Sequence, residues 1–361
     1  MFGFVARAIS AVLLLVISIV FSTSVSASQE GWSVESRALP LPQAASKPLR
    51  DLIANGIASK EEAVKGVPTS PDEWRKAIAA RSAAGKISLA QLGQQLNTTI
   101  TRDTVAGVPV HRVEPAAVSA ADTNRLFIYL HGGAYVFGGG DAAVMEGAMI
   151  SALTGVRALS VDYRMPPDHP SPAAAEDVVA VYAELLKTYE PKAIAMGGTS
   201  AGGGLTLSAV QAMKAAGLPL PGALYLGTPW TDLSKTSDSL YTNEGIDRVL
   251  VVYDGLLEEA AKLYAGGKSL KDPAISPVYG DFADFPPSFL VTGTRDMFLS
   301  DTVRAHRKLR QAGIVADLHV FEGLSHAEYA RLMGSPEWEQ TYSELSRFLQ
   351  VHLSQAAKSA P

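Results

Sequence analysis

Short, uninterrupted apolar runs alternate with longer amphipathic stretches over the last two thirds of the chain. The runs Leu126–Leu130, Ala158–Val161, Ala193–Met196, Ala223–Leu226, Phe289–Val291 and Leu318–Phe321 are too short for helices. They predict the strands of a sheet covered by helices on both faces. Between them, helical patterns lie near Ala142–Leu153, Ala173–Leu186, Gly203–Ala216, Asp301–Ala312 and Pro336–Leu353. Strand, helix, strand repeated this often predicts an α/β fold with a mostly parallel central sheet flanked by helices.

The pattern differs at both ends of this region. Residues from Thr98 to Val113 are β-rich, with Ala106-Gly107 as a hairpin turn. Upstream, Ser70-Pro71-Asp72-Glu73 carries a helix entrance, with Ser70 as N-cap and Glu73 placed to return a bond, and the helix should run through Trp74 to about Ala84. Between Trp230 and about Lys271 the strand–helix alternation lapses into a helical insertion. The expected organisation is an N-terminal helical cap segment at 28–97 and a catalytic domain at 98–361, whose insertion at about 231–271 completes the cap.

Residues 1–27 read as an address rather than as fold. Arg7 precedes an uncharged, mostly apolar run from Ala8 to Phe21, and Val25-Ser26-Ala27 supplies small residues for cleavage after Ala27. The competing reading, an uncleaved anchor, needs about 17–25 apolar residues to span a bilayer, more than this run has. The expectation is an exported protein, periplasmic or secreted, with no stable membrane span in the mature form.

Composition narrows the chemistry. With 31 Lys and Arg against 36 Asp and Glu, a formal net charge of −5, and no Lys/Arg-rich block, nucleic acid is not an expected partner. The chain has no cysteine, which removes thiolate nucleophiles, disulfides and Cys-ligated metal together. A nucleophile must then be oxygen or nitrogen.

The candidates lie directly after the predicted strands, where ligands bind in open α/β sheets. Ala193–Met196 leads into Gly198-Thr199-Ser200-Ala201-Gly202 and then an apolar helix. That is GxSxG in the strand-turn-helix setting that lifts a serine hydroxyl above a sheet; the blander reading is a Gly-rich turn with Ser200 as N-cap. Leu126–Leu130 is followed by His131-Gly132-Gly133-Ala134, matching the loop whose backbone amides join that of the residue after the nucleophile, here Ala201, in an oxyanion hole. Among seven histidines only His326 follows a strand late in the chain, where the order Ser-acid-His places the base. Asp296, ending Phe289–Asp296, is the candidate acid; Asp301 is the rival, expected instead to cap the helix after it. Tyr135, Phe137 and Trp230, beside these loops, are candidate lining of a substrate pocket.

On these residues the sequence resembles the hormone-sensitive-lipase-like carboxylesterases, the α/β-hydrolase fold-3 group. The resemblance spans about Leu126 to Leu349 and also includes Asp162-Tyr163-Arg164-Met165-Pro166-Pro167, Pro229-Trp230-Thr231-Asp232 and Ser276-Pro277. It implies Ser200, Asp296 and His326 as a triad and hydrolysis of short-to-medium acyl esters through an acyl-enzyme, with no metal and no organic cofactor. Two departures stand out: Ala134 replaces a common third glycine, and Thr199 replaces the aspartate often found before the nucleophile. A fainter likeness around Thr294-Arg295-Asp296 and Thr302-Val303-Arg304 points to cyclic esters, so a lactone substrate is the alternative. Other classes are a catalytically silent binding protein and a nucleotide binder, since Gly138-Gly139-Gly140-Asp141-Ala142-Ala143 fits GxGxxA but trails its strand by seven residues.

Overall fold

A computed structural model describes residues 35–85, 88–118 and 122–353. The expected export segment and its cleavage site lie outside the described residues. Residues 41–361 fall in one compact unit; of the preceding unit, residues 1–40, only 35–40 are described, without helix or strand.

Eight strands form one sheet: β1 (Thr98–Val105), β2 (Val108–Pro115), β3 (Leu126–Leu130), β4 (Arg157–Val161), β5 (Ile194–Thr199), β6 (Ala223–Gly227), β7 (Ser288–Gly293) and β8 (Ala316–Phe321). Their order is β1-β2-β4-β3-β5-β6-β7-β8, parallel from β4 through β8, with the β1–β2 hairpin joined antiparallel to β4. The hairpin turns at Ala106 and Gly107, both at positive φ, as Ala106-Gly107 predicts. The runs chosen from hydropathy are the strands, and β3, β5, β6 and β7 are buried along their whole length.

Alternation along each strand sends successive side chains to opposite faces. Leu126, Ile128 and Leu130 join one apolar cluster, Phe127 and Tyr129 the other. Nine longer helices cover the two faces among the described residues: α1 (Lys47–Ala54), α2 (Pro71–Ala84), α3 (Leu89–Leu96), α4 (Met145–Thr154), α5 (Ala173–Leu185), α6 (Ala201–Ala215), α7 (Leu256–Ala265), α8 (Leu299–Gln311) and α9 (Pro336–His352). Side chains of α2, α5, α6, α7 and α8 pack into the Leu126 cluster; those of α1, α3, α4 and α9 pack into the Phe127 cluster.

The N-terminal segment therefore divides between the two faces. At α2 the Ser70 cap forms as predicted, with Glu73 returning to the Ser70 amide at 3.0 Å. Trp74 is buried against Phe137, ring centroids 5.9 Å apart. By contrast α1 is fastened to α9, where Glu337 accepts the Ser46 amide at 2.9 Å and its hydroxyl at 2.7 Å. The insertion is less helical than predicted: between residues 231 and 271 only the single turn Ser239–Thr242 and α7 are helical, the rest being turns pinned by buried carboxylates.

Candidate active site

The turn at Ser200 is the most constrained in the sheet. β5 ends at Thr199, α6 starts at Ala201, and Ser200 between them has φ 63° and ψ −123°, a conformation that L-residues adopt only when their surroundings enforce it. The enforcement is visible. The Ser200 amide donates to the Gly227 carbonyl at 2.8 Å, and the Ser200 carbonyl accepts from Trp230 at 3.0 Å and Gly204 at 3.1 Å. A Cβ at Gly202 would sit 1.9 Å from the Leu130 carbonyl oxygen, so no larger residue fits there.

The loop after β3 folds over this turn. At Gly132 a Cβ would stand 3.3 Å from the Cβ of Ser200, which places the loop directly on the serine. Gly133 has φ 115°, and Ala134 takes φ 54° despite its Cβ. The Gly133 carbonyl accepts the amides of Val136 and Phe137, closing the loop, whereas the amides of Gly133, Ala134 and Ala201 enter none of the loop hydrogen bonds. His131 braces the loop: its Nδ1 donates to the Gly132 carbonyl at 2.8 Å and its ring stacks on Tyr163 at 4.1 Å. Burial pushes its pKa below the ordinary histidine value, in keeping with a structural, neutral imidazole.

His326 and Asp296 meet across the ends of β8 and β7. His326 Nδ1 lies 3.1 Å from Asp296 Oδ1. The fully buried Asp296 carboxylate also accepts the Phe298 amide at 2.7 Å, the Thr292 hydroxyl at 3.1 Å and the Thr228 hydroxyl. Asp301, the rival, lies in the first turn of α8, fully buried and turned toward the loop after β6. It accepts the amides of Thr231 and Asp232 at 2.7 and 2.8 Å and the Ser237 hydroxyl. It is thus a clamp on that loop rather than the cap of its own helix, and burial raises its pKa to about 7.

Two further carboxylates escaped the sequence reading. Asp247, in the insertion, accepts the Met297 and Val249 amides at 2.8 Å, the Leu250 amide at 3.1 Å and, more loosely, the His326 amide at 3.3 Å. Burial, and then the charge of Asp296, raise its pKa. Glu146, from α4, lies beneath the serine turn and accepts hydroxyls from Tyr129, Tyr225 and Thr199, each at 2.8 Å, with Tyr342 at 3.3 Å. Burial raises its pKa while these donors oppose the shift. Thr199 is thereby tied to a carboxylate from another element.

A cavity of about 320 Å³ joins these parts. Ser200, His326 and the Gly132–Ala134 loop line it together with the apolar Phe137, Val249, Leu250, Leu256 and Leu257. Of the three aromatic residues expected to line it, only Phe137 does. Tyr135 is buried below, stacked on Tyr264 at 3.9 Å, and Trp230 is stacked on Phe298 at 5.3 Å. The reason is local: the left-handed backbone at Tyr135, φ 63°, turns its side chain into the core. The glycines of the GxGxxA match line a larger adjoining hollow of about 850 Å³ and lead into a 3₁₀ turn, Gly140–Val144, rather than the strand-to-helix turn that motif requires. Among the described residues no group of three or more His, Cys, Asp or Glu is placed to hold a metal ion.

Comparison with known proteins adds to this geometry. A family model described as alpha/beta hydrolase fold matches residues 127–330. LipR of Mycobacterium tuberculosis is 33% identical over 260 residues, 72% of this chain and 82% of its own. An esterase of Acinetobacter venetianus is 28% identical over 230 residues, 63% of this chain and 75% of its own. The crystal structure of esterase E25 superposes with a TM-score of 0.87 at 46% identity, covering 90% of this chain and all of that one. That of an esterase from the bacterial hormone-sensitive lipase family does so with a TM-score of 0.72 at 30% identity, covering 86% and 99%.

Proposed function

The chain belongs to the alpha/beta hydrolase fold family and is a carboxylic-ester hydrolase resembling hormone-sensitive lipase, and from that premise we propose that Ser200, His326 and Asp296 hydrolyse short-to-medium acyl esters through an acyl-enzyme. The observation that carries this reading is the His326–Asp296 contact at 3.1 Å on the wall of the cavity that also exposes Ser200.

In the first half-reaction the Ser200 hydroxyl attacks the ester carbonyl while His326 Nε2 takes its proton. Asp296 holds Nδ1–H and favours the imidazolium that forms. Negative charge on the carbonyl oxygen falls to the amides of the Gly132, Gly133 and Ala134 loop and of Ala201, which contribute on the order of 3 kcal/mol each to the barrier. His326 then protonates the departing alcohol, and in the second half-reaction it activates water against the acyl-serine. A cavity of about 320 Å³ with a largely apolar lining suits a short acyl chain.

The same reading assigns a cap. Arg81 of α2, with Val249, Leu250, Leu256 and Leu257 of the insertion, covers the cavity from outside the sheet; α1 and α3 serve instead as fastenings on the opposite face. Export, with cleavage after Ala27, completes the proposal; among the described residues no helix is long and apolar enough to cross a membrane. N-terminal sequencing of protein recovered outside the cytoplasm should begin at Ser28, and recovery of Met1 in a membrane fraction would reject export by cleavage.

The deciding experiment is turnover of p-nitrophenyl esters of graded chain length, and of lactones, by the wild type and by Ser200→Ala. Activity highest at short acyl chains and lost in the variant supports the proposal. A variant that keeps the rate overturns it.

A further inference from the structure

The cavity beside Ser200 is apolar over much of its wall, yet two cations stand at its edge. Arg81, on α2, and Arg331, the last residue of the one-turn helix Glu328–Arg331, both line it, and both continue into the wall of the 850 Å³ hollow. With Phe137 and Met145 they form the wall the two spaces share. Among the described residues neither guanidinium has a hydrogen-bond or ion-pair partner.

Every nearby acid is already taken. Glu328 is paired with Arg248, at 3.0 Å through Nε, and accepts the Ser325 amide at 2.8 Å. Asp247 is filled by backbone amides and Glu146 by hydroxyls. In the hollow, Asp141 faces Arg102 at 2.8 Å and His111 at 3.2 Å, and Asp162 accepts the Gly140 amide at 2.9 Å. The charged groups left without a hydrogen-bonded partner at the neck between the two spaces are the two guanidiniums, with Glu328, Asp247 and Glu146 acting on Arg331 only through space.

The two cations also stand near each other. Arg81 lies over the Phe137 ring, 4.7 Å from its centroid. Both side chains are exposed, and the charge of Arg81 is near enough to oppose that of Arg331. Two like charges side by side, each a planar donor fork, are relieved by one anion set between them, and a carboxylate matches that fork.

We propose that this site selects esters bearing a carboxylate remote from the scissile bond, bound by Arg81 and Arg331 at the neck between the two cavities. The inference rests on the ester-hydrolase reading and specifies its substrate class. The small inner cavity sets the scale: the carboxylate stands a few carbons from the reacting carbonyl, on either the acyl or the alcohol side.

Two matched pairs of esters test it on the full chain. Mono-p-nitrophenyl glutarate against p-nitrophenyl pentanoate examines the acyl side; 4-carboxyphenyl butyrate against 4-carbamoylphenyl butyrate examines the alcohol side. In one pair the anionic member should have the higher kcat/KM by about tenfold, which corresponds to ~1.4 kcal/mol. That ratio should fall toward one in the Arg81→Gln/Arg331→Gln double variant, fall as salt rises from 0.05 to 0.5 M, and be partly kept in Arg331→Lys. A ratio near one for both pairs, or one unchanged in the double variant, overturns the inference. Calorimetric binding of 4-carboxyphenyl butyrate and mono-p-nitrophenyl glutarate to Ser200→Ala, with and without the arginines, separates the two levels. Arginine-dependent binding without wild-type turnover sinks the mechanism alone; turnover without arginine dependence sinks this inference alone.

Discussion

Replacing Glu146 with alanine tests whether the carboxylate beneath the serine turn holds that turn together. Four hydroxyls converge on it, but they are not equally dependent. Thr199 and Tyr225 also lie 3.0 and 3.2 Å from the Tyr329 hydroxyl and 3.2 Å from each other, so they can re-pair. Tyr129 and Tyr342 have no such second hydroxyl partner among the described residues. Each buried hydroxyl left unpaired costs about 1–3 kcal/mol, so the loss of two gives about 2–6 kcal/mol before any cost for the space vacated. Glu146→Gln keeps an acceptor oxygen and the volume, and should cost less than half as much. Denaturant unfolding with a shared m-value measures both variants, and burst titration of the folded fraction reports whether Ser200 stays aligned. A cost below about 1 kcal/mol for Glu146→Ala, no larger than a surface change, would refute the reasoning.

Other substitutions follow from single contacts. Asp296→Asn should lower kcat by about four orders of magnitude at unchanged stability, by analogy with loss of the orienting acid in a serine triad; Asp301→Asn should leave kcat within a few-fold. Because burial raises the Asp301 pKa to about 7 from an ordinary 3.8, the folded state binds its proton more tightly than the unfolded chain does. Stability from this group is full below pH ~4 and declines through pH ~7, and Asp301→Asn should flatten that slope in urea midpoints taken from pH 4 to 8. Ser200→Gly should abolish turnover yet raise the unfolding free energy from urea titration by ~1 kcal/mol, since glycine removes the strain of a non-glycine residue at φ 63° and repays part of it in chain entropy. Gly202→Ala should fail to fold or lose at least ~3 kcal/mol, read by thermal unfolding, because its Cβ has only 1.9 Å to the Leu130 carbonyl oxygen.

The parts legible in the sequence are those whose cause is local. Strands buried on both faces show as unbroken apolar runs, so β3 through β7 fall where those runs predict them, and the Ser70–Glu73 cap is written in four consecutive residues. The edge strand β8, with its mixed burial, was legible only through Leu318–Phe321. Asp247 and Glu146 left no such trace. The contacts that carry them to the site span 50 residues or more, from Asp247 to Met297 and from Glu146 to Thr199, and neither sits after a strand. Tyr135 and Trp230 were misplaced for a related reason: adjacency to a loop says nothing about side-chain direction when the backbone runs left-handed or the ring is drawn beneath the sheet's end. The division of α1 and α3 from α2 was hidden because all three carry ordinary amphipathic patterns that do not name their face.

The order of strands carries a consequence for synthesis. Ser200 follows β5 in the middle of the sheet, whereas His326 follows β8, an edge strand that has only β7 as neighbour. The base therefore reaches the serine only after the last strand has docked, and α9 must pack after that. A chain leaving the ribosome, or one threaded unfolded through a membrane, carries a silent serine until β8 and the loop that bears His326 are in place. Hydrolytic activity in this protein is a signal that the far edge of the sheet has docked, and during renaturation its recovery should trail the return of helical circular dichroism.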